Sequence, residues 1–361
     1  MNTPATPASA PTASRTTARF AVGYPADVEA AGAFVELVLE YRDAVAEVYF
    51  PWPGLPSGRA SLGRQHGYAD WSAQEQLLEH LRAFAEQGIG LDLLLNANCY
   101  GGRAVSRHLE REVCSILEYL EQKQTPVRTV TTASPFIART IKTHFPAVDV
   151  RASVNMRLAT AEAMSYVMDL FDSFYLCRDV QRRLETVREV AAWCRVHGKG
   201  LCLLANSGCL RACPGQTFHD NLVAHDQEVD ETVNVEGWNP HVCWRWLREP
   251  PRRAAVLQAT WIRPEDLAHY PLDEIRAVKL ATRMHANPRL VLHAYSRGRH
   301  NGNLLDLLEP GFAPLFAPDI LDNARFPAGW FDRTSTCDGR CLACGFCQAV
   351  LPSILNRPAG A

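Results

Sequence analysis

Between Phe20 and Arg283 the chain alternates short apolar runs with longer segments in which apolar residues recur every three or four positions. Short continuous runs suit strands buried on both faces, and the wider spacing marks one face of a helix, so the pattern predicts repeated βα units around a parallel sheet. Eight strands are predicted, over 19–24, 46–50, 91–95, 127–131, 148–154, 173–177, 201–204 and 277–280. Helices are predicted between them, among others over 74–87, 107–121, 135–144, 161–171 and 180–196.

Eight such units in about 260 residues fit a TIM-like (β/α)8 barrel of the α/β class better than a doubly wound sheet. No strand is followed by G-x-G-x-x-G, which also speaks against a dinucleotide-binding fold. The expected organisation is a disordered lead over 1–18, a barrel over 19–288 and a C-terminal extension over 289–361. An insertion over 206–276 separates the seventh and eighth strands, and an excursion of that length in a compact barrel is usually functional.

Composition narrows the function. The 361 residues carry a formal charge of −2, and 47% are hydrophobic. A chain so balanced lacks the basic excess of a general nucleic-acid coat protein, although it can still bind RNA locally. No run of 18 apolar residues is present, so no membrane span is expected. The Ala/Pro/Thr/Ser-rich start lacks the apolar core of a secretion signal, which makes a cytoplasmic location the expectation. Thiols stay reduced there, so the 12 cysteines point to metal binding or catalysis rather than to disulfides.

Seven of the cysteines fall into two groups with metal-binding spacing. Cys337, Cys341, Cys344 and Cys347 form a C-x3-C-x2-C-x2-C run. Four thiols so close can converge on a 4Fe-4S cluster, with zinc as the alternative at this C-terminal site. The first three also match the radical-SAM spacing, but there the motif follows the first barrel strand. Cys209, Cys213 and Cys243 form the second group, which begins where the seventh strand ends, on the catalytic face of a parallel barrel. Three thiols leave that site one ligand short. Cys99, after the third strand on the same face, is the candidate fourth ligand, giving eight thiols for one or two clusters. Cys114, Cys177, Cys194 and Cys202 lie within predicted helices and strands and read as packing residues.

Five segments, taken in order, resemble motifs of the U32 (collagenase-like) peptidase family. Val150-Arg-Ala-Ser-Val-Asn155 is similar to its SVQ segment and Phe174-Tyr-Leu-Cys-Arg178-Asp179 to its VLxRE strand end. Asn206-Ser-Gly-Cys209 with Cys213 is similar to its G-x-x-C start, and Thr260 to Leu267 to its SxDL segment. Val278-Lys279-Leu-Ala-Thr-Arg283 is similar to KIEGR. The family includes oxygen-independent hydroxylases acting on ubiquinone precursors, tRNA and ribosomal RNA. The resemblance implies a TIM-like barrel with an oxygen-sensitive 4Fe-4S cluster on four cysteines. In the hydroxylating branch it also implies prephenate as the oxygen-donating co-substrate and, for some members, a homologous partner subunit. This chain departs from the pattern at Ala281 and Thr282, where the acidic residue is missing, in its cysteine spacing and in its four-cysteine tail.

Several strand ends carry groups able to orient a polar or anionic small molecule or peptide. Candidate binding residues are Asn96, Asn98, Asn155, Arg157, Asn206, Lys279 and Arg283. Candidate catalytic residues are His219, Asp220, Arg178 and Asp179, because a histidine exchanges protons near neutral pH and a neighbouring carboxylate or guanidinium can orient it or its substrate. Trp238, Trp244, Trp246 and Trp261 are expected to shield a cluster from water. The expected function is an iron–sulfur redox enzyme, a hydroxylase on the resemblance. The alternatives are a U32-type peptidase, for which no G-x-S-x-G or H-E-x-x-H is present, and a metal-binding scaffold subunit.

Overall fold

The computed structural model describes residues 18–26, 30–59, 71–225 and 238–357. Residues 1–17 of the expected lead over 1–18, residues 226–237 of the expected insertion, and 358–361 lie outside the described residues.

Eight parallel strands close into a barrel: β1 (Phe20–Gly23), β2 (Val45–Pro51), β3 (Gly90–Leu95), β4 (Thr129–Thr132), β5 (Asp149–Ala152), β6 (Ser173–Tyr175), β7 (Gly200–Leu204) and β8 (Ile275–Leu280). Each pairs with its sequence neighbours, and β8 closes on β1 with Phe20 opposite Val278. Closure leaves the sheet without an edge. The helices that follow are α1 (Ala31–Glu40), α2 (Trp71–Glu86), α3 (Arg107–Gln122), α4 (Pro135–His144), α5 (Ala161–Ser165) and α6 (Leu184–Val196).

The chemistry of the helix starts is local. Ser106, Ser134 and Thr160 each accept the backbone N–H three residues on, at 3.1, 3.3 and 3.1 Å, and Pro135 adds a fixed φ at the first position of α4. Apolar stripes such as Leu109, Val113, Ile116, Leu117 and Leu120 on α3 face the outside of the barrel, and this interlayer space holds most of the core.

Two helices differ from the sequence pattern. The predicted 161–171 helix stops at Ser165, because the Val167 and Leu170 N–H groups bond three residues back and tighten the chain toward β6. The predicted 180–196 helix begins at Leu184, because Gln181 and Arg182 are held elsewhere. Gln181 bonds both polar backbone atoms of Leu204, and Arg182 bonds the Trp261 and Leu257 carbonyls.

Inside the barrel a second, small apolar cluster of Ala21, Tyr49, Leu94, Tyr175, Cys202 and Ala277 shares the space with Glu47, Asp92, Arg151 and Lys279. Of the cysteines read as packing residues, Cys177, Cys194 and Cys202 are buried and Cys114 is half-buried. The C-terminal extension is pinned to the barrel by an aromatic stack. Trp330 lies at 5.9 Å and 12° from Trp261 and at 5.9 Å and 24° from Phe346, with the Arg182 guanidinium over both indoles. Among the described residues no helix is long and apolar enough to cross a membrane.

Candidate active site at the barrel mouth

The C-terminal ends of the strands surround a cavity of about 360 Å³. Tyr49, Leu94, Leu204 and Lys279 come from the strands themselves, while Asn96, Asn155 and Arg178 stand just beyond them. Much of the remaining wall belongs to the segment after β7, which carries α7 (Gln216–Ala224) and α8 (Val242–Leu247), with contributions from the loops after β2, β5 and β8 and from Glu309 and Pro310.

Cys209, Cys213 and Cys243 all line this cavity. Burial pushes the Cys243 thiol up to about 11, with Cys209 and then Cys213 adding repulsion, so the three share one electrostatic environment. The loop that carries the first two is fixed from outside. Gly208 donates to the Glu309 carbonyl and Glu309 to that of Asn206, each at 3.0 Å, and a Cβ on Gly208 would collide with the Pro310 carbonyl. Ala212 has φ of +51°, a left-handed backbone costly for a residue with a Cβ, and its N–H is held by Asp179 at 3.2 Å. Cys99 does not line the cavity; its Sγ accepts the Gly101 N–H at 3.4 Å.

The predicted polar residues divide by where they point. Asn96, Asn155, Arg178, His219, Asp220, Lys279 and Arg283 border the cavity. Asn98 and Arg157 stand behind it and converge on Asp220 Oδ2 at 3.1 and 3.3 Å, clamping α7 to the loops after β3 and β5. Asn206 is fully buried and brackets the Ala281 backbone while donating to the Leu307 carbonyl at 2.8 Å, so it braces the wall instead of facing a ligand. Asp179 borders a second cavity. Of the four tryptophans, only Trp244 lines the mouth; Trp238 and Trp246 are exposed and Trp261 is in the core.

Tyr49, Arg59, His241 and Glu309 also belong to this wall. Arg59 pairs with Glu309 at 3.4 Å and lies against Cys209, and Glu309 holds its guanidinium firmly charged. The His219 and His241 rings meet edge to face at 4.6 Å. Burial lowers both below the usual imidazole range and Arg59 lowers them further, which keeps them neutral at pH 7. The wall thus sets four cations, Arg59, Arg178, Lys279 and Arg283, against two carboxylates, Asp220 and Glu309. That imbalance favours an anionic ligand.

Cys337, Cys341, Cys344 and Cys347 line the second cavity, of about 320 Å³, with Arg182, Arg183, Arg211 and Arg333 around them. Two glycines with positive φ, Gly339 at +80° and Gly345 at +64°, let this short segment wrap. Cys337 Sγ accepts the Gly339 N–H and Cys344 Sγ accepts from Arg333, both at 3.3 Å. A Cβ on Gly339 would collide with the Arg211 guanidinium, so the loop between Cys209 and Cys213 reaches the segment that carries the tail thiols. Among the described residues, no three Cys, His, Asp or Glu side chains converge tightly enough to ligate a single metal ion.

No family model matches the chain, and no curated protein matches it. Among solved structures, a putative dehydratase from Mesorhizobium loti aligns over 53% of this chain and 49% of its own, at 11% identity and a TM-score of 0.35. A dipeptide epimerase from Enterococcus faecalis aligns over 52% and 47%, at 10% identity and a TM-score of 0.34. The U32 peptidase Mk0906 aligns over 75% of this chain and 95% of its own, at 16% identity and a TM-score of 0.50. The strand-end motifs pointed to the same barrel, and this chain has the fold of a U32 peptidase.

Proposed function

We propose that this chain is an iron–sulfur redox enzyme of the U32 type that acts on an anionic small molecule or peptide at the barrel mouth. The observation that carries the reading is that two sets of cysteines each line their own cavity, one at the catalytic end of the barrel and one beside it, both with arginines around them. Thiols spread around a cavity of that volume suit a cluster better than a single ion. Cys209, Cys213 and Cys243 would hold one 4Fe-4S cluster with a fourth ligand, for which Cys99 is the candidate, and Cys337, Cys341, Cys344 and Cys347 a second. When bound, such clusters supply electrons one at a time.

The protein's own part is charge and position. Thiolates and cluster are anionic, and Arg182, buried against the tail thiols, together with the Arg333–Cys344 contact, offsets that charge. At the mouth, Arg178 and Arg283 are steadied by Ser207 and Ser57 at 3.3 and 3.1 Å, and so present fixed forks to a carboxylate. Prephenate, the oxygen donor that the resemblance implies, is a dicarboxylate of this kind. Neutral His219 and His241 can accept a proton beside it.

Anaerobic purification followed by iron, sulfide and zinc analysis tests the reading. About eight irons per chain are expected, with Cys337→Ser removing one half and Cys209→Ser the other. Zinc without acid-labile sulfide overturns it. A thiol hydrolase is the second reading, favoured because three thiols and two neutral histidines share the mouth. It predicts peptide cleavage by metal-free protein that stops on alkylation of Cys209.

A further inference from the structure

The interior of a (β/α)8 barrel is ordinarily filled by branched apolar side chains. Here Glu47 on β2, Asp92 on β3, Arg151 on β5 and Lys279 on β8 are all buried inside it. Arg151 pairs with Glu47 through Nη1 to Oε1 and through Nη2 to Oε2 at 3.0 Å. Its Nη1 also lies 3.5 Å from Asp92 Oδ2 and 3.4 Å from the Tyr175 hydroxyl. Asp92 Oδ2 accepts from Thr131 at 2.8 Å, but Oδ1 has no hydrogen-bond partner among the described residues although Asp92 is fully buried.

Lys279 completes this set from above. Its ammonium lies 3.8 Å from the Tyr49 ring centroid and 5.3 Å from that of Tyr175. Of the four interior charges it is the one that borders the mouth cavity, where it forms the floor with Tyr49. One end of the interior network is therefore open to a ligand, and a carboxylate oxygen lies below it with no donor of its own.

We propose that Lys279 is the residue that gives and recovers a proton at the floor of the mouth cavity, and that Asp92 is the positioning group that sets its charge. This deepens the reading of the mouth as an active site and does not depend on its metal. In the step, an N–H bond of the Lys279 ammonium breaks and its electron pair stays on nitrogen as the neutral amine. The proton goes to an oxygen or carbon of the bound anion that carries developing negative charge. The amine is reprotonated from solvent through the mouth or, through a swing of the lysine arm or a bridging water, from the Asp92 carboxyl, which becomes a carboxylate. No oxidant or reductant is needed for this transfer.

The surroundings suit it. Burial pulls Lys279 down to about 8; Asp92 and Glu47 oppose the shift, while Arg151 and Arg283 add to it. Burial pushes Asp92 up to about 7 against the attraction of Arg151. The facing groups are thus Glu47, Asp92, Arg151, Arg283 and the hydroxyls of Tyr49 and Tyr175. Both tyrosines are raised by burial and stay neutral. A donor and its partner that both change charge near neutral pH are what efficient proton transfer asks for.

The chain has only four lysines, Lys123, Lys142, Lys199 and Lys279, which makes the test direct. The holoprotein is labelled with 13C-lysine and its ε-methylene signals are followed through a pH titration, with Lys279→Arg identifying the signal of interest. One signal is expected to titrate about two pH units below the other three, and Asp92→Asn to move it lower still, since a neighbouring carboxylate is lost. Brief exposure to acetic anhydride at pH 8 is expected to modify Lys279 first, because its neutral fraction there is roughly a hundredfold larger than that of an ordinary lysine. A Lys279 that titrates with the other three, or that resists acetylation in the native protein, overturns the proposal. So does an unmoved signal in folded Asp92→Asn; if that variant does not fold, the native titration and acetylation decide. Iron content is expected to be unchanged in Lys279→Arg, so failure of the cluster reading and failure of this one remain separate.

Discussion

Arg151 holds two acids, Glu47 and Asp92, in the buried interior of the barrel. Removing a cation from such a site leaves charge uncompensated, so Arg151→Met is expected to cost about 3–5 kcal/mol in urea denaturation. Adding Glu47→Gln is expected to recover part of that loss, since the acid most dependent on Arg151 is then neutral. Asp92 sets a pH dependence of its own. Its carboxyl is raised from 3.8 to about 7, so between those values the folded chain keeps a proton that the unfolded chain has released. Stability from this group is therefore present below about pH 4 and is lost as pH rises toward 7. Thermal unfolding midpoints of Asp92→Asn are expected to gain on wild type across that window; parallel curves would show that Asp92 ionises normally. These charges are legible in the sequence as single polar residues inside apolar runs, in VAEVYF, LDLLL and VRA. Their inward direction is not, because the strand periodicity leaves two faces open until register and closure choose one. Arg59, His241 and Glu309 come from irregular loops, where no period marks a residue as facing the site.

At the scale of elements, the strand pattern was readable to within about two residues, because continuous burial on both faces leaves an apolar run bounded by helix starts. The ends of α5 and α6 were not readable. They are set by side chains that bond outside their own helix, as Gln181 does at 2.6 Å to the Leu204 carbonyl. Ser134 is a local contrast, since its cap is visible in Ser-Pro before an apolar period, and Ser134→Ala is expected to cost about 1 kcal/mol in chemical denaturation. Trp330 joins the extension to the barrel through stacked rings on both sides, and it is fully buried. Trp330→Ala is expected to cost about 3–5 kcal/mol and to make the 337–347 segment the first site of limited proteolysis. Unchanged cleavage there would show that the segment is held by other contacts.

Across the whole molecule, the eight-unit alternation and the two cysteine groups were legible in the sequence. The contact between the segments that carry them was not, because it depends on Arg211 meeting a glycine at 339, more than 120 residues away along the chain. The larger pattern in the barrel interior concerns assembly. The buried acids of the sheet, Glu47 and Asp92, lie on β2 and β3, and its buried bases, Arg151 and Lys279, lie on β5 and β8. Cut between β4 and β5, the barrel becomes one half that carries the two interior acids and one that carries the two interior bases. Neither half can close on a copy of itself without burying like charges, whereas each neutralises the other. The charges that prepare the floor of the cavity therefore also disfavour dimers built from two like half-barrels.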